Sequence, residues 1–373
     1  MKHKVLLIAL LLFPCHIFAH DSIPEKSSKK EYSFIIRDSP ASLFTMRQFD
    51  ENYLSAYRLA INELNNIVSP KASVWIQTAA TTLFLIPLTH EEGHRSILTG
   101  EKIGSISKPY FNKRMAAYVT GVTDAQLIEL RDSKLPNYIR LYTSGLESDY
   151  ALLLRENSLL NWKEETKEIL RVEYINRKVS YISYYAMGLV DNIYAKRGVS
   201  TMSIFNLKEE TNELDRDIVG HDVYGAIRHL HRPDMEFYRY TDYLDLTSEE
   251  QQFAQRVGWR SLLNFVDPLL FGKTGFTISN KYRFNLSLGY GMCPFGDYID
   301  EHFWLSTGSF KSHLYFRQFQ NKNNWFPAFG INIPNISISD SFLTSVSLHG
   351  WQQPQELSFT QNKGELGGGQ VFG

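Results

Sequence analysis

The most constraining feature of this sequence is chemistry placed directly after an uncharged stretch. His90-Glu91-Glu92-Gly93-His94 follows ASVWIQTAATTLFLIPL, residues 72–88, which holds no Asp, Glu, Lys or Arg. That stretch approaches the length needed to cross a bilayer, while Gln77, its threonines and Pro87 suit a buried core helix at least as well. Continued as a helix, it puts residues four apart on one face, so both imidazoles of the HExxH pattern can approach one zinc ion. Glu91, next to the first imidazole, is placed to accept a proton from metal-activated water. Burying such a cluster beside an apolar segment costs free energy unless a cation neutralises it.

Charge excludes one class of function. Lys+Arg 39 against Asp+Glu 40 leaves a net charge of −1, and no basic patch supplies the positive field that nucleic acid requires. Lys2 and Lys4 before the apolar run Val5–Leu12, with Ala19 as a cleavage position, read as a signal peptide over residues 1–19. The chain is thus expected in the periplasm or outer membrane of a Gram-negative-type bacterium. Removal of that segment takes Cys15 with it and leaves Cys293 alone, so no intramolecular disulfide is expected. Residues 20–40 are polar and read as a flexible leader. Aromatic residues at 14% suit ligand-facing or membrane-facing surfaces, so lipid contact is a further expectation.

Residues 41–271 read as a helical module. Helical spacing runs from Ala41 to about Ile67, over 111–133, and again after Pro136. A charged helix face is expected over 155–175, and an aromatic run over 178–197 holds Tyr181, Tyr184, Tyr185 and Tyr194. The helix after Pro136 carries Gly145, Glu147 and Asp149. HExxH followed by a carboxylate on a later helix resembles the gluzincin class of zinc metallopeptidases, over roughly residues 72–155. The resemblance implies His90, His94 and Glu147 as zinc ligands and Glu91 as general base. Asp149 can then hold the outer N–H of a ligand histidine, and Gly145 permits close helix approach. The resemblance is partial. In the membrane-bound, prenyl-protein-processing branch the ligand glutamate lies four residues before an aspartate, where this chain has Gly145.

Asp267, before Pro268, competes with Glu147 as third ligand but reads better as a turn residue. The cluster Gly220-His221-Asp222-Val223-Tyr224-Gly225, with His229 and His231 beyond it, offers Tyr224, His229 or His231 to stabilise an oxyanion.

From Gly272 the character changes to alternating apolar and polar residues. Short strands are expected over 281–290, 302–309, 312–320, 325–332, 335–340 and 342–349, with turns at 321–324, Pro334-Asn335 and 350–354. Residues 272–363 form an antiparallel β module, either a soluble sheet or part of a membrane-associated barrel, and the Gly-rich residues 364–373 read as a flexible tail. The expected fold is therefore α+β, and the expected activity is zinc-dependent hydrolysis of peptide bonds in a peptide or protein substrate. Two alternatives stand beside it. One is an outer-membrane β protein with a structural metal and a binding or transport role; the other is a zinc amidase or lipid hydrolase. The sequence does not address oligomeric state.

Overall fold

The computed structural model describes residues 30–38, 45–108, 117–199, 210–279, 282–307, 310–339, 342–354, 359 and 366–372. The expected signal peptide, most of the leader and Cys15 lie outside them. The fold is α+β: a helical module followed by a seven-stranded antiparallel sheet that is not closed into a barrel.

Helix α1 spans Met46–Ile67, capped by Thr45, whose side chain accepts from the Gln48 N–H. A chain of helical turns then runs unbroken from Pro70 to Gly100. It comprises α2 (Pro70–Ala80), a π-type turn (Thr81–Leu85) and α3 (Ile86–Gly100), which carries HExxH. This helix is long and apolar enough to cross a membrane. It is not the buried core helix the sequence suggested, because Trp75, Ile76, Leu83, Phe84 and Leu88 form an exposed apolar stripe.

A small hairpin follows, β1 (Ile106–Lys108) with β2 (Tyr118–Thr120), so Val119 lies on a strand where a helix was expected. Helix formation resumes only at Asp124, where Thr123 and Gln126 make a capping box for α4 (Asp124–Ser133). Helix α5 (Leu135–Asn161) is the spine of the module. The charged stretch expected as one helix over 155–175 is broken by a turn at Trp162–Thr166, after which α6 (Lys167–Ala195) runs back. Helices α7 (Asp222–His231) and α8 (Ser248–Ser261) complete the module.

The sheet is a meander in sequence order. Its strands are β3 (Phe276–Ser279), β4 (Tyr282–Cys293), β5 (Gly296–Thr307), β6 (Phe310–Asn321), β7 (Asn324–Ser339), β8 (Phe342–Pro354) and β9 (Leu366–Phe372). The strands are longer than the alternation suggested. Pro334-Asn335 is a register irregularity inside β7, with Asn335 at φ 56°, rather than a turn between two strands. The supposed turn at 350–354 lies inside β8, and the tail expected to be flexible pairs with β8 as β9.

One sheet face is polar and lies against the helices. Tyr150 of α5 donates to Asp300, Trp304 donates through Nε1 to Ser158, and Asn285 donates to Asn161. Gly289 permits this approach, since a Cβ there would lie 1.9 Å from the Tyr150 hydroxyl. The opposite face is apolar. Leu286, Phe303, Leu314, Ile331 and Leu348 are directly paired neighbours in one row across β4–β8. Phe316 and Phe329 are paired in the next row, and both are exposed.

Candidate metal centre

The centre is built where two helices cross at glycines. A Cβ on Gly93 would lie 2.4 Å from the Ser144 carbonyl oxygen, and one on Gly145 would lie 2.4 Å from His90 Nε2. Only hydrogens fit at these positions, so α3 meets α5 closely enough for α5 to hold both histidines of HExxH. His94 donates from Nδ1 to the Leu141 carbonyl at 2.6 Å, and His90 donates from Nδ1 to Asp149 Oδ2 at 2.9 Å. Both outer nitrogens are thus engaged, which turns both Nε2 atoms toward a common point.

The acidic group at that point is Asp222. Its Oδ2 lies 2.8 Å from His90 Nε2 and 3.5 Å from His94 Nε2. Asp222 opens α7, where a negative charge is favoured by the helix dipole, and His221 caps the helix by accepting from the Tyr224 N–H. Helix α7 can lie against α5 because Gly225 leaves room for the Tyr142 ring. His90, His94 and Asp222 are all buried, their three donor atoms lie within 4.8 Å of one another, and the group can hold a metal ion.

The donor set fits a divalent cation such as zinc. Two imidazole nitrogens and one carboxylate oxygen converge, each imidazole braced from behind, with the Gly145 cradle keeping His90 Nε2 unobstructed. Burial opposes charge on His90, but its bonds to Asp149 and Asp222 outweigh this and hold its pKa well above the ordinary histidine value. For Asp222 burial is likewise opposed, by His94 and His90, and its carboxyl is held well below the ordinary range.

Glu91 is half-buried beside the cluster. Burial raises its carboxyl above the usual range, with His94 and His90 pulling the other way. Glu92 points elsewhere, to Arg95 and Ser107. Tyr184 of α6 lies with its ring centroid 5.3 Å from that of His90.

Glu147 is not the third acidic partner. Two residues along a helix from Gly145 is about 200° around the axis, and Glu147 accordingly lies on the outer surface, gripped by Arg140. Asp267 is buried elsewhere. It caps the 3₁₀ turn Pro268–Phe271, accepts from Tyr174 and lies 3.4 Å from Lys178 Nζ.

The three residues expected to stabilise an oxyanion are also engaged away from the cluster. Tyr224 donates its hydroxyl to Asp191. His229 packs against the rings of Tyr138 and Tyr142, and burial with Arg228 nearby pushes its pKa down to about 3. His231 bonds to the Ile227 carbonyl and packs on Phe253. Asp149 does take the histidine-bracing position. Asp222 was legible only as part of a polar helix start, because nothing in local spacing ties it to His90, 132 residues earlier.

Comparison with protein-family models, curated proteins and solved structures gave no match.

Proposed function

We propose that this protein is a zinc-dependent hydrolase of peptide bonds, with His90, His94 and Asp222 as zinc ligands and Glu91 as general base. The observation that carries this reading is the convergence of both HExxH imidazoles on a third, acidic donor, with a further carboxylate adjoining. Among the described residues the group has three protein donors, the ligand count of catalytic rather than structural zinc sites. Bound there, zinc supplies the Lewis acidity that activates water and polarises a carbonyl.

The chain's own residues divide the remaining work. Asp149 and the Leu141 carbonyl keep the imidazoles in the tautomer that presents Nε2. Glu91 takes the water proton and returns it to the leaving amine. Tyr184 closes the side of the cluster next to His90.

Glu91→Gln is the decisive variant. It should keep zinc content at the wild-type level while peptide hydrolysis falls on the order of 10²–10⁴-fold. Retained turnover with a peptide library, at equal zinc content, would remove Glu91 from the mechanism.

The exposed stripe on α2–α3 and the apolar outer face of the sheet are the grounds for proposing a membrane association. Expressed with its full N-terminal segment, the protein should sediment with membranes and be released by detergent but not by 1 M salt. Recovery in the soluble fraction without detergent would count against this.

A further inference from the structure

We infer that Arg177 is a positioning residue of the metal centre, acting through Asp149; the inference rests on the reading of His90, His94 and Asp222 as a metal site. Arg177 lies on α6, a helix that contributes no ligand, and its side chain is fully buried. Its guanidinium joins two pieces of the centre at once. Nη1 donates to Asp149 Oδ1 at 2.5 Å and to Thr89 Oγ1 at 2.8 Å. Thr89 directly precedes His90, and the other oxygen of Asp149 accepts from His90 Nδ1. One cation therefore fixes both the backbone segment that carries the first histidine and the carboxylate that aims its ring.

The other side of the guanidinium is anchored as firmly. Nε donates to Glu173 Oε1 at 2.8 Å, Nη2 donates to the same oxygen, and the Tyr53 ring lies 5.6 Å from the guanidinium carbon. Burial, with the charge on Glu173, pushes the neighbouring Glu156 carboxyl well above its ordinary range. A planar guanidinium can meet three differently placed acceptors in fixed directions. A lysine ammonium is a flexible point charge and cannot.

The consequence for the centre is specific. A carboxylate held at one oxygen by Arg177 and at the other by the His90 N–H keeps the His90 ring in place. Loss of the guanidinium fork releases Asp149 to rotate and lets the His90 ring turn away from the shared point.

The test is a zinc-affinity cycle with a chromophoric chelator on wild type, Arg177→Lys, Asp149→Asn and the double variant, with visible spectra of the cobalt-loaded forms. Each single variant should bind zinc roughly 10–100-fold more weakly, the range for loss of an outer-shell partner. The double variant should lose little beyond Asp149→Asn, and the cobalt bands should shift in Arg177→Lys. Wild-type affinity and an unchanged cobalt spectrum in Arg177→Lys would overturn the inference, as would losses that simply add. Should Arg177→Lys fail to fold, Glu173→Gln keeps both Arg177 and Asp149 and removes the negative charge of the anchor. It should weaken zinc binding about tenfold, and unaltered affinity would overturn the inference equally. A wild-type protein that binds no zinc defeats the metal reading itself, which the variants cannot mimic.

Discussion

Asp222→Ala should weaken zinc binding on the order of a hundredfold or more, while Glu147→Ala binds as wild type. The contrast is large because the two carboxylates occupy opposite environments. Asp222 is buried with its oxygen 2.8 Å from one ligand nitrogen and 3.5 Å from the other. Structural zinc sites bind with apparent free energies of about 10–16 kcal/mol, so one ligand of three or four accounts for roughly 3 kcal/mol or more. Its loss would also leave His90, whose pKa is raised, without one of the two carboxylates that hold it. Glu147 makes a partly exposed ion pair with Arg140, a class of contact worth about 0–1 kcal/mol. Metal analysis of the two purified variants after dialysis against a weak chelator gives the answer directly. Zinc retained by Asp222→Ala and lost by Glu147→Ala would reverse the ligand assignment.

The second large effect is expected from the smallest change. Gly145→Ala places a methyl carbon 2.4 Å from His90 Nε2 and under 3 Å from two ring carbons. The ring has no inexpensive escape, because Asp149 holds its far side, Asp222 its near side, and Gly93 presses the helix backbone against Ser144. Overpacking of this kind costs roughly 1–3 kcal/mol in stability. The added methyl also occupies space that the metal-facing nitrogen needs. Gly145→Ala should therefore lose zinc by at least as large a factor as Asp222→Ala and unfold at lower denaturant concentration. Zinc affinity equal to wild type would show that α3 and α5 do not cross as closely as described. Gly104→Ala, which places its methyl in open space, is the matched control.

Much of this arrangement was legible from residue types and spacing. The two histidines four apart imply a shared helix face. An aspartate about four turns into the following spine offers a partner for one of them. Alternation after Gly272 implies an antiparallel sheet. Local rules failed where an element's end or its facing direction depends on a distant partner. The turn at Trp162–Thr166 interrupts a stretch whose charges read as one helix, and β9 forms from a Gly-rich tail because β8 offers it an edge. Glu147, expected as the third ligand with Asp267 as its competitor, lies away from the histidines for the same reason. Chain proximity favoured the acid on the neighbouring helix, but helical rotation turned it outward.

The sequence by itself determined the helix that carries His90, Glu91 and His94, and it determined strands with one apolar and one polar side, because side-chain periodicity is a property of the local backbone. Which carboxylate completes the cluster, and that Arg177 reaches it from a fourth helix, were decided only by packing. The His90–Asp222 contact joins residues 132 positions apart through glycine-permitted crossings, Arg177 reaches Asp149 across 28 positions, and no local preference encodes where such helices meet.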